Sequence, residues 1–467
     1  MKKLALALVL LIACDPAEFR PAKGVKDLPS AKAAHRVHDS TCESIGFVIK
    51  AESIEDIATT AAHHGATEFK VLNDRVSTTS TPPRRSTALS PYDAVSTARS
   101  IATMSSSLPP TPRHRARDLG IPLEGLPGPR DAITDVPGVM VGFSTLVEGA
   151  RVRTGVTAVL PRGLGSHDPV FAAWFPLNGN GEMTGTAWID ESGFLEGPVM
   201  LTNTHSVGVV RDAVVAWQAR TGRLVQPWSN PVVAETYDGT LNDINGFHVT
   251  AAHALAAIES ANDGDVAEGN VGGGTGMVCF GFKGGTGTAS RRTREPEREH
   301  QEGGYTVGVL VQANFGLRAQ LTIAGVPVGK EIPLPPPPAP ATEQGSIIVV
   351  VATDAPLLPH QLKRLARRAA LGLARTGGCA GNGSGDIMLA FSTANAGAAS
   401  STAPTTTLEM LSNAQITPLF EATICATEAA ILNALLAAET MTGLDDRTVE
   451  ALPHHRVRAL LQRYGRA

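Results

Sequence analysis

Ten residues, Gly377-Gly378-Cys379-Ala380-Gly381-Asn382-Gly383-Ser384-Gly385-Asp386, carry five glycines and run directly into Ile387-Met388-Leu389-Ala390-Phe391. Neither a helix nor a strand interior accommodates glycine at that density, so the chain must loop here and become an apolar strand immediately afterwards. Glycines on both sides of Ser384 allow close backbone approach and dihedrals closed to other residues, which a self-cleaving Gly383–Ser384 bond requires. Taken alone, Asn-Gly and Ser-Gly dipeptides mark an ordinary turn more often than a cleavage site.

The surrounding chain is of α/β texture. From about Arg117 onward, apolar segments such as Val139-Met140-Val141-Gly142, Val199-Met200-Leu201-Thr202, Thr306 to Gln312 and Ile347 to Ala352 read as strands between Gly-rich turns. Helical patterns cover Val249 to Ile258, Pro359 to Arg375 and Ala426 to Thr442. With 43% hydrophobic but only 4% aromatic residues, the core must be built mainly from Ala, Val, Leu and Ile. The proline run within 332–345 cannot join a sheet interior and is expected to be an exposed loop. A net charge of -4 offers no basic face for nucleic acid, and Arg291-Arg292-Thr293-Arg294 reads as a solvated loop.

The N-terminal part differs. Met1-Lys2-Lys3 followed by the apolar run Leu4 to Ala13 has the layout of a secretory signal and is too short to span a bilayer. Leu11-Ile12-Ala13-Cys14 resembles a bacterial lipobox, which would make Cys14 a lipidated N-terminus anchored to a membrane by acyl chains alone. An ordinary signal peptide with a chance cysteine is the alternative. Export, to the periplasm or to a membrane surface as a lipoprotein, is expected in either case. Cys42 to Ile49 reads as a strand and Ile54 to Gly65 as a helix, while Ser/Thr/Pro-rich stretches around residues 77–83 and 105–110 cannot sustain a core. The expected order is therefore signal peptide with lipobox over 1–14, a small lipoprotein-like segment over 15–75, a linker over 76–114 and one large domain over 115–467. Cys279, Cys379 and Cys425 show no ligand or disulfide spacing and read as small buried residues.

Several further segments accompany the serine loop: Leu177 to Gly185, Leu201 to Thr204, Val233 to Gly239, Leu241 to Gly246, Glu268 to Met277, Phe282 to Gly285 and Val311 to Gly316. Together and in this order they resemble the DmpA-type aminopeptidases, the serine-nucleophile family of L-aminopeptidase/D-esterases and β-peptidyl aminopeptidases. The similarity runs from about Arg117 to Gly465. It implies a four-layer α/β/β/α sandwich, a precursor that cuts itself between Gly383 and Ser384, and a homo-oligomer of the cleaved α/β units. It implies no metal and no cofactor. The liberated Ser384 would be the nucleophile of an acyl-enzyme, with its own α-amino group, of ordinary pKa about 8, as general base. No Gly-x-Ser-x-Gly elbow on a clear strand-turn-helix supports a triad instead.

The resemblance further places Asn314 as an oxyanion donor, Glu268 beside the free amino group of a peptide or amino-acid amide substrate, and Glu428 near the nucleophile. Read as residues alone, Asn314 would sooner close an Asx turn, Glu268 would be a surface acid before a Gly-rich turn, and Glu428 a first-turn acid favoured by the helix dipole. Ala426 stands where the family has a serine two residues before Glu428. Phe280 stands where some relatives have a tyrosine that helps to bind the oxyanion, and Tyr237 is no obvious replacement. An aminopeptidase or amidase is the expected activity. The rivals are an acyltransferase of the ornithine acetyltransferase kind and a non-catalytic surface lipoprotein that keeps the fold.

Overall fold

A computed structural model of the chain describes residues 114–293, 304–333, 344–400, 402 and 404–466, together with four short strands nearer the N-terminus. The chain divides into two units, 1–106 and 107–467. In the first, β1 (Ala7–Ile12), β2 (Val37–His38), β3 (Glu43–Ile49) and β4 (Phe69–Val71) form a sheet in the order β2-β3-β1-β4. The apolar run read as a signal thus supplies β1, and β3 falls on the strand expected there. Cys14, Cys42, the helix expected over 54–65 and most of the proline-rich loop lie outside the described residues.

The second unit begins with β5 (Met140–Glu148), β6 (Val152–Leu160), β7 (Val170–Pro176), β8 (Phe194–Leu195), β9 (Val199–Asn203) and β10 (Val232–Thr236). After them come β11 (Val278–Cys279), β12 (Phe282–Lys283), β13 (Gly285–Arg292), β14 (Thr306–Asn314), β15 (Gln344–Thr353), β16 (Gly383–Ser384), β17 (Ile387–Ser392), β18 (Met441–Thr442) and β19 (Thr448–Val449). The helices are α1 (Thr186–Ser192), α2 (Val207–Thr221), α3 (Ala251–Glu259), α4 (Val328–Glu331), α5 (Pro359–Arg375), α6 (Thr417–Leu436) and α7 (His454–Arg463). One sheet runs β13-β14-β15-β17-β7-β8, with β16 added against β15, a second runs β10-β9-β6-β5, and β11-β12 and β18-β19 pair as two-stranded ribbons.

Alternation along the strands sets the layers, because successive side chains leave opposite faces of a sheet. Val307, Val309 and Val311 of β14 enter one core with α5 and α6. Leu310 of the same strand, with Ile348, Val350 and Leu389, enters a second core shared with Val141, Val159, Leu201 and Ala234 of the smaller sheet. The reverse face of that smaller sheet, at Val156, Met200 and Val233, packs on α2 and α3. Helices, large sheet, small sheet and helices therefore stack as the expected α/β/β/α sandwich. Its strands are buried on both faces, so they appear in sequence as apolar runs without alternation.

Three local expectations change. α6 spans Thr417–Leu436 instead of 426–442, because Pro418 opens it in the first turn and Met441–Thr442 is already strand. Glu428 is therefore mid-helix and no first-turn acid. Arg291 is buried, not solvated: it lies on β13, where its Nη1 meets Asp131 Oδ1 at 2.8 Å and its Nε donates to the Glu124 carbonyl. Cys379 is exposed, whereas Cys279 and Cys425 are buried.

Candidate active site

The glycine loop after α5 returns to the large sheet as β16, which runs parallel to the first residues of β15, with Gly345 opposite Ser384. Ser384 is fully buried there, and its hydroxyl donates to Asp386 Oδ1 at 2.6 Å. Asp386 is itself buried, and the same oxygen accepts the Ile347 amide at 3.1 Å, so the start of β15 orients the carboxylate. Left-handed backbone falls at Gly377 (φ 98), where glycine takes it freely, and at Ala380 (φ 52), where it is strained, both upstream of the Gly383–Ser384 bond expected to carry strain. Close approach is what the later glycines supply: a Cβ on Gly385 would lie 2.5 Å from the Asn180 carbonyl oxygen.

The partner in that approach is the loop after β7. Asn178 Oδ1 accepts the Asp386 amide at 2.5 Å, Asn180 Nδ2 donates to the Gly383 carbonyl at 3.0 Å, and the Asn180 amide donates to the Ser384 carbonyl at 3.3 Å. Two residues further along, the Glu182 amide donates to Glu235 Oε1 at 3.0 Å. Glu235 projects from β10 of the smaller sheet, and the Thr204 hydroxyl donates to its other oxygen. A Cβ on Gly181 would lie 3.0 Å from Gly385 Cα and 3.4 Å from Glu235 Oε1, so this carboxylate stands one residue's width from the serine loop. Burial pushes its pKa above the usual carboxylate value; the Thr204 hydroxyl and the Glu182 amide pull the other way.

Asn314 ends β14, paired with Ser346, and a Cβ on Gly345 would fall 2.1 Å from the Asn314 carbonyl oxygen. Asn314 and Ser384 thus flank the same glycine. The Asn314 side chain bridges the sheets: Oδ1 accepts the Val278 amide at 2.7 Å and Nδ2 donates to the Tyr237 carbonyl at 2.8 Å. Tyr237 is about half exposed beside it, while Phe280 is core, ring against ring with Phe315 at 4.9 Å. Phe280 is thus turned into the core, and what Tyr237 presents to Asn314 is its backbone carbonyl. Next to it, burial raises Asp238 to about 6 although the Asn203 and Asn242 amides donate to it. Lys283 is buried with Nζ donating to the Gly274, Met277 and Gly284 carbonyls, tying that Gly-rich loop to the sheet, and burial lowers its pKa to about 7.

Two expected residues are placed elsewhere. Glu268 is buried in an ion pair with Arg115 at 2.8 Å and accepts the Thr288 amide at 2.9 Å. Thr288 is three residues along β13 from Gly285, whose row continues through Ala313 to Ile347 and so to Asp386. That offset is about 10 Å along the strand alone, before two strand spacings are crossed. Glu428 pairs with Arg375 at 3.0 Å between α6 and α5, and among the described residues nothing joins it to Ser384. The residues that sequence reasoning missed are Asp386, inside the quoted motif, and Glu235, a charge within the apolar strand Val-Val-Ala-Glu-Thr. A carboxylate buried in a strand is costly unless bonded or used, and that cost was the available signal. The described residues hold no cluster suited to a metal ion.

Comparison with known proteins agrees with this fold. The model of peptidase family S58 matches residues 131–449. The chain is 56% identical over 373 residues to β-peptidyl aminopeptidase BapA of Sphingosinicella microcystinivorans, covering 75% of this chain and 93% of that protein. It is 44% identical to the protein of the same name from Sphingosinicella xenopeptidilytica, covering 74% and 91%. Among solved structures, the L-aminopeptidase D-Ala-esterase/amidase of Ochrobactrum anthropi, described as a prototype for the serine aminopeptidases and a variant of the Ntn-hydrolase fold, superimposes with a TM-score of 0.70. The two share 49% identity over 75% of this chain and 99% of that one. A Burkholderia sp. β-aminopeptidase matches with a TM-score of 0.69 and 50% identity, covering 75% and 99%. Fold and site define a serine N-terminal-nucleophile aminopeptidase. The chain belongs to peptidase family S58.

Proposed function

We propose that the chain cuts itself before Ser384 and that the liberated serine then removes N-terminal residues from short peptides, amides or esters through an acyl-enzyme. The observation that carries this reading is the Ser384 hydroxyl held 2.6 Å from Asp386 in a loop whose Gly385 lies across Gly181 from the Glu235 carboxylate of the opposite sheet. In the mature protein the α-amino group of Ser384 takes the hydroxyl proton, and Asp386 holds the hydroxyl in place. Glu235 receives the ammonium of the substrate, the role first assigned to Glu268, because a free N-terminus reaching Ser384 ends next to it. In this reading the Asn314 side-chain amide supplies the donor that stabilises the oxyanion. The names of the two BapA relatives support β-amino residues as the first substrate class to try.

Intact mass of the purified wild type tests the first half: two chains, the smaller beginning at Ser384, are expected, and one whole chain overturns it. Free and N-acetylated β-aminoacyl p-nitroanilides test the second. Equal hydrolysis of both removes the aminopeptidase reading in favour of a general amidase, and transfer of the acyl group to added amines favours the acyltransferase. Anchoring through Cys14 is a separate proposal. It predicts membrane fractionation that is lost in Cys14→Ser, and soluble, unmodified wild type refutes it. Assembly of cleaved units into a homo-oligomer is tested by the mass of the native particle.

A further inference from the structure

We propose that Asn180 is the catalytic residue that activates the Gly383 carbonyl for self-cleavage, an inference that rests on the processing proposed above. Asn180 meets the scissile pair twice: its Nδ2 donates to the Gly383 carbonyl oxygen at 3.0 Å, and its backbone amide donates to the Ser384 carbonyl at 3.3 Å. Its side chain is at an exposed position of the loop, so no packing demand explains an amide there. The loop around it is pressed onto the glycine segment. Asn178 Nδ2 donates to the Gly381 carbonyl at 3.2 Å, and Gly181 and Gly385 leave no room for a Cβ between the two backbones.

Ser384 Oγ attacks the Gly383 carbonyl carbon, and its proton passes to Asp386 Oδ1. Negative charge then gathers on the Gly383 oxygen, the atom that accepts Asn180 Nδ2–H. The C–N bond breaks, the proton returns to the nitrogen, and the products are a Gly383–Ser384 ester and a free α-amino group on Ser384. Water hydrolyses the ester to the Gly383 carboxylate and the Ser384 hydroxyl. Asn180 Nδ2 is within 3.0 Å of the oxygen on which that charge grows, and it acts as an oxyanion donor to the extent that this bond strengthens in the transition state.

The test follows the loss of full-length chain with time, by gel and intact mass, in wild type, Asn180→Ala, Asn180→Asp and the uncleavable Ser384→Ala. Removal of one oxyanion donor slows such a step about 10²- to 10³-fold, so both Asn180 variants are expected to accumulate precursor. Their precursors should melt with Ser384→Ala, which separates slow chemistry from misfolding. Asn180→Asp keeps the side-chain volume but replaces the donor with a carboxylate whose negative charge opposes the developing oxyanion, whereas Asn180→Ala removes the donor without adding charge. Cleavage of both variants at the wild-type rate overturns the assignment to Asn180, as does a precursor that melts well below Ser384→Ala. A wild-type chain that stays whole overturns self-cleavage itself, and this inference with it.

Discussion

Ser384 and Asp386 lie on either side of a single glycine, and the serine hydroxyl donates to the carboxylate at 2.6 Å while the start of β15 holds that carboxylate from the other side. A hydroxyl and the carboxylate that accepts its hydrogen bond are therefore supplied by three consecutive residues. They become a site only because β15 and the loop after β7 clamp the segment between them.

Asp386→Asn keeps the shape of the side chain and removes its charge. Self-cleavage should slow by about 10²-fold or more, the usual scale for a lost proton acceptor, and Ser384→Ala should abolish it. Mass analysis of freshly expressed chain reads both.

Glu235→Gln should raise KM for substrates with a free amino group and leave kcat much less affected, since an ammonium contact is present before and during reaction. The pH dependence has a defined sign. Burial raises the Glu235 pKa, so its negative charge is complete only above that raised value and is lost as pH falls through it. KM of the wild type for a free-amino p-nitroanilide should rise on acidification from a pH above the ordinary carboxylate value. That acid limb should be missing in Glu235→Gln.

Glu268→Gln should act on stability. It leaves Arg115 without its charged partner inside the fold, which costs up to about 3 kcal/mol. A lowered melting temperature with unchanged discrimination between free and N-acetylated substrates is the expected pair of results. Relaxed discrimination in Glu268→Gln would return the amino-group role to this residue.

Asn314→Ala should lower kcat about 10²-fold in protein shown to be fully cleaved, as for other lost oxyanion donors. Because its amide also bridges Val278 to Tyr237 between the two sheets, a modest drop in melting temperature should accompany the kinetic loss. Unchanged kcat would leave Asn314 as a sheet-bridging residue only.

The sequence by itself determined the strands around Thr306, Ile347 and Ile387, the helix Pro359–Arg375 and the glycine-rich loop that carries Ser384, because these depend on local apolar pattern and on glycines adjacent in the chain. Its motif order also determined the family. Only the tertiary structure decided which carboxylates lie near the serine. Glu268 lies in as good a motif as Glu235, yet it is neutralised by Arg115, 153 residues earlier, while Glu235 is carried by the smaller sheet to the edge of the serine loop. The same holds for Phe280, which the chain turns into the core, and for Tyr237, which it leaves beside Asn314. Strand register and sheet-on-sheet packing set these contacts. They join residues distant in sequence through backbone pairing, which leaves no mark on the spacing of the side chains themselves.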